Sequence, residues 1–260
     1  MRLDLALVQK QLFETRSKAK EAIECGIVFY QGSPATKPSQ QIQNLDDLEI
    51  RGQILPYVSR GGLKLEKALK VFHIDLNNKI VLDIGSSTGG FTDCALQHGA
   101  KQVISVEVGR DQMNHKLRLN PQVTLYEQTD FRDIEADKIV PCTIAVSDVS
   151  FISITKMLPK LKQMPNLTDV ICLIKPQFEC GKEIADKFRG IIRDQNVHVH
   201  VLEKVLHAFI ECGFYPKNIT FSPITGASGN IEYLAHFQLH PTKFQPDIQK
   251  IVTEAYQNMK

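Results

Sequence analysis

The sequence predicts an α/β protein in two parts, a helix-covered and largely parallel sheet preceded by a small α+β unit. Two observations carry the prediction. Four runs, KIVLDIG, KQVISVEVG, CTIAVSDVS and DVICLIKP, are β-branched and almost continuously apolar, as strands buried on both faces are, and helical segments separate them. A stretch dense in glycine and proline, RGQILPYVSRGG, cuts off the first fifty residues, which have a pattern of their own. At 260 residues the chain is long enough for one medium domain and one small one.

Within the first fifty residues, RLDLALVQKQL and RSKAKEAIECG read as short amphipathic helices, the second capped by Thr15 or Ser17 and stopped by Gly26. IVFY and LEIR, with a QGSP turn, read as a strand pair. Arg16 and Lys20 share a face of the second helix, with Lys18 close by. Gly52, Pro56, Gly61 and Gly62 mark the connection, so the small domain and its linker take 1–58 and the large domain 59–260. Gly61–Gly62 reads as a hinge that opens a helix led by Lys64. Further on, FTDCALQHG, ISITKMLPKLKQM and NVHVHVLEKVLHAFIECG are helical, and the tail after Pro246 forms a last helix. FYPKNITFSPI and NIEYLAHFQL have no helix between them and pair as an antiparallel hairpin at one edge.

Composition excludes several classes. The chain is 43% hydrophobic and 23% charged, ordinary for a soluble protein, and no apolar run approaches the roughly 18 residues of a membrane span. Asp4 interrupts the only apolar patch at the N-terminus, which is too short for a secretory signal. Cys25, Cys94, Cys142, Cys172, Cys180 and Cys212 form no CxxC pair and no Cys/His zinc spacing; they read as reduced thiols in a cytoplasmic protein without metal. Residues 1–70 hold eleven Lys/Arg against eight Asp/Glu, and the remainder twenty against twenty-one, so the basic excess lies in the first quarter.

KIVLDIGSSTGGFTDCAL is a strand, a glycine turn and a helix, a cradle for a ligand at a helix N-terminus. The pattern is D-x-G-x-x-x-G-G rather than G-x-G-x-x-G, and Asp83 ahead of Gly85 would repel a dinucleotide pyrophosphate. S-adenosylmethionine, cationic at nitrogen and sulfur and without phosphate, suits the carboxylate better. Glu107 ends the next strand twenty-two residues after Gly85, where an acid can accept both ribose hydroxyls. Asp130, after the third strand, is placed to meet the adenine edge. Active sites of parallel sheets lie at the carboxyl ends of the strands. Asp148 and Lys175 close two apolar runs there; Glu232, on one strand face with Leu234 and His236, is buried only with a cationic partner.

Together, YVSRGGLKLEKAL, DIGSSTGGF, SDVSFIS, LIKPQFE and GNIEYL resemble the TlyA family, over about residues 1–238. The resemblance implies a small ribosomal-protein-S-four-like RNA-binding domain joined to an FtsJ-like, Rossmann-type methyltransferase domain. It implies a Lys-Asp-Lys-Glu tetrad at Lys64, Asp148, Lys175 and Glu232, with Lys175 as base, Asp148 and Glu232 holding the amines, and Lys64 steering a ribose 2′-hydroxyl. It places S-adenosylmethionine against Asp83, Gly85, Ser86, Ser87, Thr88, Gly89, Gly90, Phe91, Glu107, Asp130 and Asp148. RNA contacts fall to Arg2, Arg16, Ser17, Lys18, Lys20 and Arg60, in RSKAKEAIECGIV and its neighbours. The implied substrate is cytidine in ribosomal RNA, 23S and in some members also 16S, met on ribosomal subunits. Where the wider fold often has Asp, Glu107 is longer by one methylene.

The chemistry needs such residues: a ribose hydroxyl is a poor nucleophile until its proton is taken, and general-base help is worth about 10²–10⁴-fold. Three other readings stand beside this one. An RNA-docking protein with an inactive body would have lost a tetrad member, and all four are present. A membrane-acting toxin, the family's historical haemolysin label, would show a long apolar or strongly amphipathic span. A base methyltransferase would carry an Asn/Asp-Pro-Pro-Tyr-like element where this chain reads SDVSF.

Overall fold

The computed structural model describes residues 1–24, 26–52 and 55–259; Cys25 and the Gln53–Ile54 part of the expected linker lie outside the described residues. The chain forms two compact units, Met1–Pro56 and Tyr57–Lys260.

In the smaller unit, α1 (Leu3–Gln9) and α2 (Arg16–Glu24) pack together beside a three-stranded antiparallel sheet. Its strands are β1 (Val28–Tyr30), β2 (Ser33–Pro34) and β3 (Leu48–Ile50), in the order β2-β1-β3. The expected strand pair thus gains a third member, with Pro34 at an edge, where a missing N–H costs nothing. Leu3, Leu7, Ile23, Val28 and Leu48 form the core. Asp4, the residue that breaks the apolar patch, is buried and accepts hydrogen bonds from Arg2 at 3.0 Å and Arg16 at 2.9 Å. The Arg2 bond leads in holding its carboxyl down at about 2, against the effect of burial.

The larger unit starts with α3 (Gly61–Phe72) and runs through β4 (Ile80–Ile84), α4 (Gly90–Gln97), β5 (Gln102–Val106), α5 (His115–Arg118), β6 (Val123–Tyr126) and β7 (Ile144–Ser147). A 3₁₀ turn, Ile154–Met157, leads into α6 (Leu158–Leu161). Then come β8 (Asp169–Ile174), α7 (Pro176–Glu179), α8 (Lys182–Lys187), α9 (Gln195–Glu211), β9 (Tyr215–Phe221), β10 (Tyr233–Gln238) and α10 (Ile248–Asn258). The sheet order is β6-β5-β4-β7-β8-β10-β9, with β6 to β8 parallel and β10 and β9 antiparallel.

Side-chain alternation splits the strands between two cores. Val81, Val103, Val146, Leu173 and Leu234 meet Leu65, Leu69 and Phe91 of α3 and α4. Leu82, Ile104, Ala145, Cys172, Tyr233 and Phe237 meet Val201, Val205, Phe209 and Val252 of α9 and α10. Covering both faces explains the near-continuous apolar runs. No helix among the described residues is long and apolar enough to cross a membrane.

Two expectations need correction. Glu232 lies just ahead of β10 rather than inside it, although its carbonyl still accepts from Ser222 N at 2.8 Å and so extends the hairpin. Gly61 and Gly62 are not a hinge: they form the first turn of α3, and neither has a positive φ. Their role is close approach. A Cβ on Gly62 would sit 2.3 Å from the Tyr57 ring, and one on Gly90 would sit 2.3 Å from Ser59 Oγ and 2.9 Å from Gly62 N. Glycine lets the starts of α3 and α4 touch through their backbones.

Candidate active site

Three buried charges and a half-buried one, Asp148, meet at the carboxyl end of the sheet. Asp148 follows β7, Lys175 follows β8 and caps α7, Glu232 precedes β10, and Lys64 lies one turn into α3. Lys64 Nζ donates to Glu232 Oε2 at 2.7 Å and to Asp148 Oδ2 at 3.2 Å. Lys175 Nζ is 2.7 Å from Asp148 Oδ1, donates to Ser150 Oγ at 2.8 Å and reaches the Asp148 carbonyl at 3.3 Å. Burial works against the charge on Lys64, but Asp148 and Glu232 outweigh it and hold its pKa above the ordinary value. The two lysines therefore differ. Lys64 faces two carboxylates, Lys175 one carboxylate and two neutral oxygens.

Sequence reasoning missed three residues here. Ser150 sits inside the SDVSF motif and Gln177 inside LIKPQFE, so proximity to charged members was the available signal. Gln177 Nε2 lies 3.5 Å from Glu232 Oε1, and its own Oε1 is buried without a hydrogen-bond partner among the described residues. Gly226 carries no such signal, yet a Cβ there would fall 2.6 Å from Glu232 Oε1.

The four charges line a cavity of about 660 Å³ together with Arg60, Ser86, Thr88, Gly90, Phe91, Phe151 and Phe178. A second cavity of about 350 Å³ adjoins it through Gly85, Ser87, Asp148, Ser150 and Phe151, and contains Glu107, Gln112, Asp130, Phe131 and Met157. The glycine turn separates the strand end from α4: Gly85 has φ +78° and Gly89 +93°, and a Cβ on Gly89 would lie 2.4 Å from Leu117.

Glu107 accepts from Ser87 N at 2.7 Å and from Gly109 N at 2.8 Å, which leaves acceptor capacity on each oxygen. Gln112, unforeseen in the sequence, accepts from Ser87 Oγ at 3.3 Å. Asp130 is clasped by Arg132 at 2.5–3.1 Å, which holds its carboxyl below the usual range.

Asp83 lies deeper than the other residues of the glycine turn. It is fully buried beneath the turn and lines neither cavity. Its Oδ2 accepts from Thr92 Oγ1 at 2.6 Å, and Oδ1 has no hydrogen-bond partner among the described residues. Burial, with smaller contributions from the charges of Asp148 and Glu107, pushes its pKa up to about 7.

The expected RNA contacts divide between the units. Arg2, Arg16, Ser17, Lys18 and Lys20 are exposed in the smaller one, where Lys18 pairs with Glu14 at 2.5 Å and Lys20 with Glu24 at 3.7 Å. Exposed pairs of this kind are worth about 0–1 kcal/mol, so a phosphate can replace the carboxylate. Arg60 belongs to the larger unit and lines the cavity that holds the four charges.

Residues 57–239 match the FtsJ-like methyltransferase family, and residues 1–48 match the S4 domain. A Bacillus subtilis protein described as a candidate rRNA methyltransferase, YqxC, is 46% identical over 272 residues, spanning 100% of this chain and 95% of its own. The 16S/23S rRNA (cytidine-2′-O)-methyltransferase TlyA of Mycobacterium tuberculosis is 35% identical over 235 residues, 89% of this chain and 87% of its own. A solved Streptococcus thermophilus structure described as a candidate hemolysin is 41% identical with a TM-score of 0.77, covering 99% of this chain and 96% of that one. With both domains present in this order and the similarity running through nearly the whole length, the chain belongs to the TlyA family of FtsJ-like methyltransferases.

Proposed function

We propose that the protein transfers a methyl group from S-adenosylmethionine to the 2′-oxygen of a cytidine in ribosomal RNA, with the S4 unit as its RNA-docking module and the cytoplasm, where ribosomal subunits are, as its location. The observation that carries this reading is the tetrad, two buried lysines bridged by the half-buried Asp148, which is the member that lines both cavities. The residues fit the methyl donor. The glycine turn leaves room for it, Glu107 has acceptor capacity for ribose hydroxyls, and Phe131 and Met157 offer apolar walls for adenine. Among the described residues Oδ1 of Asp83, behind the turn, has no partner, and a cationic ligand in front of it would favour the ionised carboxylate. Bound there, S-adenosylmethionine supplies an activated methyl on a positively charged sulfur.

The chain's own residues then deal with the hydroxyl. Lys64, held by two carboxylates, keeps its proton and donates a hydrogen bond that orients the ribose oxygen. Lys175 takes the hydroxyl proton at Nζ. As a base it acts from its neutral form, and its contacts are one carboxylate and two neutral oxygens. Phe151, 91% exposed with φ +64°, stands at the rim with its ring 5.2 Å from that of Phe178. An aromatic face held in water beside the site is a stacking platform for the nucleobase.

The test is methyl transfer from labelled S-adenosylmethionine to unmodified 30S and 50S subunits, with Lys175→Ala alongside the wild type. Label in alkali-resistant dinucleotides, lost in the variant, is the expected result. No incorporation into either subunit despite tight S-adenosylmethionine binding would overturn it in favour of a docking protein or another RNA.

A further inference from the structure

Glu179 is buried, 4% exposed, yet lies outside the tetrad and lines neither cavity. A carboxylate so placed is expensive to keep unless its oxygens are fully used. No cation is ion-paired with it among the described residues. Lys204 Nζ bonds the Glu179 carbonyl at 3.0 Å instead, and burial, though countered by hydrogen bonds, raises the carboxyl pKa. Its oxygens grip a different segment. Oε1 accepts from Ile154 N at 2.7 Å and Oε2 from Ser153 Oγ at 2.6 Å; Ser153 Oγ in turn accepts from Thr155 N at 3.2 Å and caps the 3₁₀ turn.

Two stretches of chain are thus tied at both ends. Residues 148–154 carry Asp148, Ser150 and Phe151, and residues 175–179 carry Lys175 and Phe178. At the cavity end Lys175 bonds Asp148 and Ser150, and four residues on Glu179 bonds Ser153 and Ile154. Between the ties Phe151 is held at φ +64°, a conformation that a bulky side chain keeps only when its surroundings impose it.

We propose that Glu179 is a positioning residue for methyl transfer: its two hydrogen bonds pin the far end of the Asp148–Ile154 segment, fixing Asp148 and Ser150 against Lys175 and holding Phe151 at the rim. The proposal rests on the methyltransferase reading for its effect on turnover, while the anchor itself is a matter of geometry. Only the shape of the acceptor group is needed. Glutamine reproduces it: Oε1 accepts from Ile154 N, and Nε2 donates to Ser153 Oγ, which turns its proton to Thr155 Oγ1. Alanine keeps neither bond.

The experiment compares wild type, Glu179→Gln, Glu179→Ala and Ser153→Ala in the full chain. Turnover is expressed per site competent to bind S-adenosylmethionine, which removes any loss of folded protein. Glu179→Ala is expected to fall by about ten- to a hundredfold, the scale of an ångström's misplacement, and Ser153→Ala by several-fold; Glu179→Gln stays within about threefold. Hydrogen exchange of residues 149–155, read by mass spectrometry, speeds up in Glu179→Ala and not in Glu179→Gln. Exchange needs no activity, so an inactive wild type would defeat the functional reading and still leave the anchor tested. Unchanged exchange in Glu179→Ala, turnover within threefold in that variant, or a glutamine variant as impaired as the alanine one would each overturn the proposal. If Glu179→Ala fails to fold, undiminished turnover and unchanged exchange in Ser153→Ala overturn it equally.

Discussion

Substituting the two adjacent glycines at the start of α3 separates close packing from hinge motion. At Gly61 an added Cβ would lie 3.5 Å from Ser59 Oγ and 3.9 Å from Asp148 Oδ2, ordinary van der Waals contact. Since φ there is not positive, Gly61→Ala is tolerated and gains up to about 1 kcal/mol by restricting the unfolded chain. At Gly62 the same atom would meet three Tyr57 atoms at 2.3–2.5 Å, where carbon pairs settle at about 3.5–4.0 Å. Tyr57 is 5% exposed and cannot swing into solvent, so either its ring or α3 must move by about an ångström. Overpacking of that kind costs about 1–3 kcal/mol. In a unit of this size each kcal/mol shifts Tm by about 2–4 °C, so Gly62→Ala should melt roughly 2–12 °C lower and Gly61→Ala no lower than wild type. Because Lys64 lies two residues on, with its amine 2.7 Å from Glu232, a shift of α3 also costs up to about a hundredfold in turnover. Thermal melts and methyl transfer on both variants check this. Equal losses in the two would restore the hinge, and a fully stable, fully active Gly62→Ala would refute the packing argument.

Other outcomes follow from the same geometry. Lys64→Met strands Glu232, 2% exposed, without its cation and should cost about 3–5 kcal/mol, whereas Lys64→Met with Glu232→Gln regains stability without activity; denaturant melts and turnover on the pair would show it, and equal stability of the two would sink the argument. Lys175→Met leaves Asp148 paired with Lys64, so it should abolish turnover at a smaller stability cost, measured the same way. Phe151→Ala should raise KM for RNA several-fold and leave S-adenosylmethionine affinity within about twofold, since the ring is in water; an unchanged KM would remove the platform. Asp83 is protonated below about 7 in the unliganded protein, and a cationic ligand prefers it ionised, so S-adenosylmethionine should bind more tightly as pH rises towards 7 and then level off. The same raised pKa makes the unliganded fold less stable as pH climbs from about 4 to about 7. Calorimetry in buffers of different ionisation enthalpy should register proton release, and pH-independent affinity would refute it.

The legible parts of this protein are those with local causes. β4, β5, β7 and β8 announce themselves because strands buried on both faces need unbroken apolar runs, and Asp148 and Lys175 stand out as charges that close such runs. Lys64 has no local cause. It lies 84 residues from Asp148 and 168 from Glu232, and only resemblance to a family joined them in advance. The hinge at Gly61–Gly62 was misread because glycine serves both positive φ and close approach, and sequence does not distinguish the two uses. The depth of Asp83 and the contacts of Glu179 are not legible in the sequence for a related reason. Depth beneath a turn, and which backbone N–H a carboxylate meets, are properties of packing between distant segments.

The two-and-two composition of the tetrad has a rationale in charge balance. Unliganded, with both lysines protonated, Lys64, Lys175, Asp148 and Glu232 sum to zero. A sulfonium arriving beside them would leave an excess of one positive charge in a site where each charge is less than about a fifth exposed. One neutral lysine would restore the balance, and the pairing distinguishes the two. Lys64 is bonded to two carboxylates, and at an effective dielectric near 20 each opposite charge at 4 Å is worth about 4 kcal/mol. Lys175 has one such partner, and its remaining contacts are neutral oxygens. Lys175, with the fewer carboxylate partners, is therefore the lysine that the proposed mechanism uses as base for the ribose hydroxyl. In that proposed mechanism the positive charge on sulfur would disappear as Lys175 takes the hydroxyl proton, so the net charge of the site would stay the same through the step. A single lysine with a single carboxylate would also balance, but it would leave no ammonium to orient the hydroxyl while the base is neutral. The second pair, Lys64 and Glu232, supplies that donor at no net charge.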